Sequence, residues 1–338
     1  MPAISVIIVN FNGEGYLRDC LSSLAAQTFR DFEVLVVDNG SGDGSLRLME
    51  EEFPWVRVVP LKMNTGFAKG NNIGFQASSS KYVVTLNNDT VVDRRWLKAL
   101  YEVAGSDRDI GMVASKILLG KEGSVIDSTG MLIYPDGMTR QRGKGQADTG
   151  QFNGMREVLF PSACAALYRR EMLDEIGPFD EDFFFYCEDA DLGLRGRLAG
   201  WKAVLAPDAV VRHLYSGTAG KYSGFKAFHI ERNRFWVLLK DLPLSYIILF
   251  PFHTARRYTV QLYGLVSGKG SVARFAEGSG KGELVKVVIR AWLEMVSGIP
   301  AVLGKRRTVW GRRRIGRGEY RDVLKRHRIT AAELMLRD

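Results

Sequence analysis

The chain has 338 residues, 46% hydrophobic and 25% charged, with three cysteines and a net charge of +9. That composition excludes disordered, collagen-like and disulfide-rich classes. The charge is uneven: residues 1–211 sum to −7 and residues 212–338 to +16, which points to a polyanionic partner for the C-terminal third.

Cys20, Cys164 and Cys187 form no C-x-x-C pair, so reduced thiols in a cytosolic compartment are expected rather than a disulfide framework or a zinc site. The amino terminus, MPAISVIIVNFN, has no basic segment ahead of its apolar run, and no signal peptide is predicted. Apolar, β-branched runs at 4–9, 33–37, 56–61 and 82–86 alternate with helical stretches at 14–27, 43–52, 67–79 and 93–104. Short strands buried on both faces and alternating with helices predict an α/β, Rossmann-like, mostly parallel sheet flanked by helices. Ligands of such sheets sit at the carboxyl ends of the strands.

The polar clusters fall at those ends. Strand one runs into FNGEGYL (11–17), and Asp38 closes strand two. Gly13, Gly15 and an acid about 20 residues on mimic a dinucleotide fingerprint, but Arg18 stands where its third glycine belongs. Asp38 is equally suited to a base imide, a ribose hydroxyl or a simple capped turn. After strand three, NTGFAKGNNIGF (64–75) sets Asn64, Gly66, Gly70, Asn72 and Gly74 at a strand-to-helix turn, with bare backbone and amides that suit a base, ribose or phosphate. Strand four ends in LNNDTVVD, where Asn87 and Asp89 either hold Mg²⁺ or Mn²⁺ as hard oxygen ligands or form a turn before the next helix.

Further strands are expected near 111–118, 124–134 and 156–169, around a Gly-rich interval at 135–154. FFFYCEDADLGLRGRLAGWK (183–202) then crowds Glu188, Asp189 and Asp191 at the start of a helix. Three acids exceed what the helix dipole asks for. Asp191 and Arg195 form an i,i+4 pair, and an aromatic-flanked carboxylate, its pKa raised by desolvation, is a candidate general base. A final strand at 202–212 delivers His213, either structural or a metal ligand beside Asp89, and the Ser/Gly/Thr loop after it carries Lys221.

From about 225 the texture changes to Trp-, Leu- and Arg-rich helices. LPLSYIILFPF (242–252) has about half of the ~20 residues a span needs, and the apolar stretch 284–303 contains Lys286, Arg290, Glu294 and Pro300. Neither is expected to cross a membrane. Both suit interfacial helices lying on a bilayer, ahead of a segment, 305–328, with 11 Lys/Arg and 2 acids. Helices packed on the body, with a solvated tail, are the alternative.

No single cluster decides the chemistry, but their order does. SVIIVNFN, VVDNGS, N-x-G-F-A-x-G-N-N-x-G, an N-x-D strand end, P-S-A-C-A with R-R-E and G-P-F-D, E-D-A-D-L-G-L-R and a later H-x-x-S resemble glycosyltransferase family 2, inverting nucleotide-sugar enzymes of the GT-A fold. Within that family the chain looks most like bacterial rhamnosyltransferases of O-antigen, capsule or cell-wall glycan assembly. The resemblance covers residues 3 to about 240. It implies a GT-A catalytic domain over 1–224, with a nucleotide-sugar-binding half (about 1–105) and an acceptor-binding half (about 106–224); charge and apolar patterning add an amphipathic helical, basic, membrane-associating region over 225–338.

Residue by residue, the resemblance implies that Val9, Asn10, Asn12 and Asp38 hold the base and ribose, and that Asn64, Gly66 and Asn72 line the nucleotide pocket. Asn87, Asn88 and Asp89 take the place of the D-x-D motif, with Asp89 and His213 as metal ligands and Lys221 on the diphosphate. Ser162, Ala163, Cys164 and Glu188 lie toward the acceptor, and Asp189 is the base. The implied cofactor is Mg²⁺ or Mn²⁺. The implied partners are a dTDP- or UDP-linked sugar, dTDP-rhamnose first, and a glycan or polyprenyl-diphosphate-linked acceptor at an anionic membrane surface, on the inner face of the bacterial cytoplasmic membrane. Two departures stand out: Asn87 replaces the first acid of D-x-D, and Asn71 replaces a basic residue common among relatives.

The competing readings fit less. A processive polysaccharide synthase needs a Q-x-x-R-W motif and several spans. A nicotinamide dehydrogenase leaves N-N-D, E-D-A-D and His213 without a role. Nucleic-acid binding would need exposed aromatic platforms, whereas the tail's aromatics sit in apolar helices.

Overall fold

Ile4–Asn10 is almost wholly apolar and buried on both faces, and it forms the central strand β1. In the computed structural model it pairs in parallel with β2 (Phe32–Asp38) and β4 (Tyr82–Leu86), while β2 pairs in parallel with β3 (Arg57–Pro60). The structure describes residues 1–121, 123–154, 157–214, 223–270 and 281–336. Helices α1 (Glu14–Ala25), α2 (Ser45–Glu52) and α3 (Phe67–Ala77) make the crossovers, as the alternating periods predict. Helix α1 buries Leu17, Cys20, Leu21 and Leu24, the apolar stripe of its 3.6-residue period. Helix α3 lies unusually close to the sheet. A Cβ on Gly70 would come within 2.8 Å of the Val9 side chain, and one on Gly74 within 2.5 Å of Ile7. Those two glycines are therefore packing residues and not, as their place in the motif suggests, backbone laid bare for a ligand.

The sheet continues with β5 (Thr90–Val92), β6 (Ile110–Leu119), β10 (Ala165–Arg169) and β11 (Lys202–His213), in the order β3-β2-β1-β4-β10-β6-β11-β5; β7 (Ile126–Ser128) pairs with β6. This half is mixed. Strand β10 is antiparallel to both β4 and β6, and β5 is antiparallel to β11. The reason lies in the connections: a parallel return needs a crossover of a dozen or more residues, usually helical, and among the described residues no helix interrupts the stretch between β6 and β10. The strand expected over 156–169 accordingly shortens to β10, and the one expected over 124–134 breaks at Gly130, whose φ is +112°. Helix α4 (Trp96–Gly105) covers the mixed half, and α5 (Arg170–Ile176), a 3-10 turn (Glu181–Phe183) and α6 (Glu188–Leu198) lead from β10 to β11. Because β6 and β11 run parallel to β4, the carboxyl ends of β1, β2, β4, β6 and β11 and the start of β10 share one edge.

The residues divide into two units, the first comprising Met1–Gly130, Gln141–Arg197 and Trp201–Thr218, and the second Met131–Arg140, Leu198–Gly200 and Ala219–Asp338. The second holds the hairpin strands β8 (Met131–Ile133) and β9 (Thr139–Gln141), the latter ending just inside the first unit, and helices α7 (Gly224–Asp241), α8 (Leu244–Ser267), α9 (Lys281–Gly311), α10 (Arg317–Arg326) and α11 (Ala331–Leu336). A buried ionic cluster ties it together. Asp136 in the hairpin turn accepts from Arg257 Nε at 2.6 Å and lies 3.5 Å from Arg234, and Glu231 pairs with both arginines.

Helix α9 is apolar on two sides. Val287, Ala291, Met295 and Val302 are buried, several of them against α7, whereas Val285, Ile289, Leu293 and Val296 form an exposed stripe, each more than half accessible. With both stripes counted, the most apolar 18-residue window of Val285–Gly311 has a mean hydropathy of 1.5, and the helix is long and apolar enough to cross a membrane by length and composition. The stretch 284–303, expected to be too interrupted by charge and Pro300 to span, passes by length and composition because its most apolar 18-residue window holds no more than two charged residues.

Candidate active site

Asn10 organises the end of β1. Its amide donates to Asp38 Oδ1 at 3.1 Å and Ser41 Oγ at 3.2 Å, and its Oδ1 accepts from Asn88 Nδ2 at 2.7 Å. Asp38, also buried, receives the Ser41 N–H on its other oxygen at 3.1 Å. Asn12 has a left-handed backbone, φ +50°, and its side chain accepts the Gly42 N–H at 2.8 Å. The four residues predicted around the base thus share one neighbourhood, with Val9 turned to Gly70.

Sequence reasoning missed Asn39. Its amide donates to Asn64 Oδ1 at 3.0 Å and to the Gly66 carbonyl at 3.1 Å, and its Oδ1 accepts from Thr65 N–H at 2.8 Å. One buried side chain therefore fixes the 64–66 loop. The only local signal was its place directly after Asp38. Gly66 is needed twice over: its φ is +86°, and a Cβ would meet the Phe184 ring within 2.5 Å. Asn72 does not face this loop. Both ends of its amide are bonded to Phe179, at 2.9 Å and 3.1 Å, with Glu181 as a further acceptor, so it braces the segment ahead of the acid pair.

At the end of β4 the Asn87 N–H donates to the Cys164 carbonyl at 2.8 Å, and one residue earlier the Ala163 N–H reaches Asp189 Oδ2 at 3.4 Å. The loop Ser162–Ala165 thus links the N-N-D strand end to the acid pair through its backbone. Burial pushes the Cys164 thiol well above its ordinary value, which leaves it a poor nucleophile.

Asp189 opens α6. Burial raises its carboxyl to about 6, against the pull of the Ala163 and Ala190 N–H groups, the latter at 2.8 Å. Glu188 is raised well above its ordinary value by burial and then by Asp189, and one of its oxygens has no hydrogen-bond partner among the described residues. Of the two, Asp189 is the better hydrogen-bonded, which favours its charged form over that of Glu188. Phe184, Tyr186 and Cys187, just before the pair, all have φ between +61° and +68°, a conformation costly for side-chain-bearing residues and typical of a segment held for function. Asp191 pairs with Arg195 at 2.8 Å, and Arg195 also donates to the carbonyls of Ile176, Gly177 and Pro178, so that pair is structural.

His213, ending β11, lies between two carboxylates. Its Nε2 is 3.3 Å from Asp89 Oδ1 and its Nδ1 is 2.9 Å from Asp127 Oδ2. Burial works against its charged form, but Asp127 and Asp89 outweigh this and raise the imidazole to about 9. Lys144 Nζ lies 3.5 Å from the other oxygen of Asp127. Among the described residues no three His, Cys, Asp or Glu side chains form a ready-made metal cage. Asp89 and His213 nonetheless fit a divalent cation: an imidazole nitrogen and a carboxylate oxygen 3.3 Å apart can share one ion whose remaining positions go to water and phosphate oxygens. Lys221 lies outside the described residues.

The family model described as Glycosyl transferase family 2 matches residues 5–177, which takes in the β1 to β10 edge and stops short of Asp189 and His213. An N-acetylglucosaminyl-diphospho-decaprenol L-rhamnosyltransferase of Mycobacterium tuberculosis is 28% identical over 245 residues, 64% of this chain and 78% of that protein. Among solved structures, GalNAc-T7 with UDP, GalNAc and Mn²⁺ has a TM-score of 0.61 at 17% identity, over 77% of this chain and 51% of its own. S. aureus TarS 1-349 in complex with UDP has a TM-score of 0.52 at 18% identity, over 95% of this chain and 90% of its own. At those identities the two structures bear on the fold alone.

Proposed function

The chain belongs to glycosyl transferase family 2 and is a glycosyltransferase, and on that premise we propose that it moves a sugar, with inversion, from a nucleoside diphosphate to a hydroxyl of a glycan or lipid-linked glycan. Asp189 is the general base, Asp89 and His213 hold Mg²⁺ or Mn²⁺, and Asn10, Asn12, Asp38 and the 64–66 loop hold the nucleoside. The observation that carries this is the Ser162–Ala165 loop, which bonds to Asn87 on one side and to Asp189 on the other. The nucleotide-binding half is residues 1–105 and the acceptor-binding half 106–224.

The chemistry follows from the charges. The acceptor O–H gives its proton to Asp189 as its oxygen bonds to the anomeric carbon, and the bond from that carbon to the diphosphate oxygen breaks. The cation, when bound, neutralises charge on the departing diphosphate. One displacement inverts the centre, and the proton on Asp189 passes to solvent. Likeness to the N-acetylglucosaminyl-diphospho-decaprenol L-rhamnosyltransferase supports rhamnose as the sugar and a polyprenyl-diphosphate-linked acceptor; dTDP-rhamnose is the donor we propose.

A thermal-shift screen of dTDP-, UDP-, GDP- and CDP-sugars with and without Mn²⁺ tests the reading, since a ligand at about a hundred times its Kd adds about 2.7 kcal/mol to the native state. A metal-dependent rise with dTDP- or UDP-sugars is expected. A rise with NAD(H) alone would reject the proposal.

The second unit supports a bilayer location on the inner face of the membrane. Helix α9 exposes Val285, Ile289, Leu293 and Val296, and α10 exposes Arg317, Arg321, Lys325 and Arg326. The full chain should sediment with vesicles containing about a third phosphatidylglycerol. The double substitution Leu293→Asp and Val296→Asp should cut that binding at least tenfold while leaving the melting temperature within about 2 °C, because both side chains are already exposed. Wild-type protein left in the supernatant at low salt would sink the membrane assignment.

A further inference from the structure

We propose that Asp127 is a positioning residue for the cation site, holding His213 so that Nε2 faces Asp89; this rests on the reading that Asp89 and His213 bind a divalent ion. Strand β7 is only three residues long, Ile126–Ser128, and all three are buried. A carboxylate in such a strand is costly unless it is paired, and Asp127 is paired on both oxygens, with His213 Nδ1 at 2.9 Å and Lys144 Nζ at 3.5 Å.

The arrangement determines which histidine nitrogen can bind metal. An imidazole that gives its Nδ1–H to a carboxylate has Nε2 left as its ligand atom, and the ring cannot turn without breaking that bond. Here Nε2 already lies 3.3 Å from Asp89 Oδ1. Lys144 engages the remaining oxygen of Asp127, which keeps this carboxylate behind the histidine instead of in the cation's coordination shell. Asp127 therefore acts through His213 or not at all.

The test is a double-mutant cycle on Mn²⁺ affinity, measured by the free-Mn²⁺ electron paramagnetic resonance signal with the full chain and saturating dTDP. Loss of an outer-shell carboxylate typically weakens a metal site about tenfold to a hundredfold, and Asp127→Ala should fall in that range. Asp127→Asn keeps an oxygen to accept the Nδ1 proton and should lose less. In a His213→Ala background, adding Asp127→Ala should change Mn²⁺ affinity by less than about twofold. An equal loss in both backgrounds means that Asp127 binds metal directly or merely supports the fold, and overturns the proposal. So does an Asp127→Ala protein that binds Mn²⁺ like wild type while His213→Ala weakens it, a result that leaves the cation site intact. If neither His213→Ala nor Asp89→Ala alters Mn²⁺ binding, the premise fails and this inference with it.

Discussion

Asp189→Asn should cut kcat by about a hundredfold to ten-thousandfold, the range for a general base, while changing donor affinity by less than about twofold. The asparagine is nearly isosteric and keeps an oxygen for the Ala190 N–H, which lies 2.8 Å from the carboxylate in the wild type. The pH profile separates this from a packing effect. Catalysis needs the ionised form, and with Asp189 raised to about 6 that form is present above pH 6 and lost below it, so the wild-type rate should fall about tenfold per unit as pH drops. Stability runs the other way. The folded-state pKa lies above the ordinary 3.8, so this group favours the fold below about pH 4, and the benefit is lost as pH rises to 6. At pH 8 the asparagine variant, free of a buried charge, should melt no lower than wild type. Glu188→Gln should cost only a few-fold, because burial and the neighbouring Asp189 both favour the protonated form of Glu188. A surviving acidic limb in Asp189→Asn, or a loss under tenfold, would assign the base elsewhere.

The first half of the sheet was legible because β1, β2 and β3 are each followed by a helix of their own, and the two periods alternate cleanly from Ile4 to Leu86. Between Ile110 and Arg169 that signal stops. A chain without crossover helices returns antiparallel, and nothing in its hydrophobic pattern states which neighbour it will find. The family, the strand-end clusters and the meeting of Asp89 with His213 came through as an ordered set of motifs. Asn39 and Asp127 did not, for a physical reason: each is a single buried polar residue whose partners are distant in the chain. Asp127 and His213 are 86 positions apart, so no local spacing connects them. Asn72 is the reverse case. Its motif suggests a ligand, whereas its amide is taken up by Phe179 and Glu181. The buried cluster of Asp136, Glu231, Arg234 and Arg257 was hidden too, because arginines in a basic tail look solvated until their partners are known.

Asp89→Ala should lower kcat/KM by about a hundredfold to a thousandfold and abolish stimulation by Mn²⁺. The size of the loss follows from the motif. Where a D-x-D strand end would offer two acids, this one offers Asn87 and Asp89, so a single substitution removes all of its carboxylate charge. What is left is His213, a neutral donor once metallated. The backbone should survive the change, since the Leu214 N–H bonds to the carbonyl of residue 89, at 2.8 Å, and not to its side chain. Asn87→Asp is the informative counterpart. It adds a hard anionic oxygen two residues from Asp89, and ligand charge count tunes affinity for such ions, so Mn²⁺ should bind more tightly. The pair brackets the role of charge at this strand end. If Asp89→Ala keeps its Mn²⁺ stimulation, the ion is held by other groups; if Asn87→Asp leaves Mn²⁺ affinity unchanged, residue 87 lies outside its coordination shell. Isothermal titration of Mn²⁺ into each variant with saturating dTDP separates these results without relying on turnover.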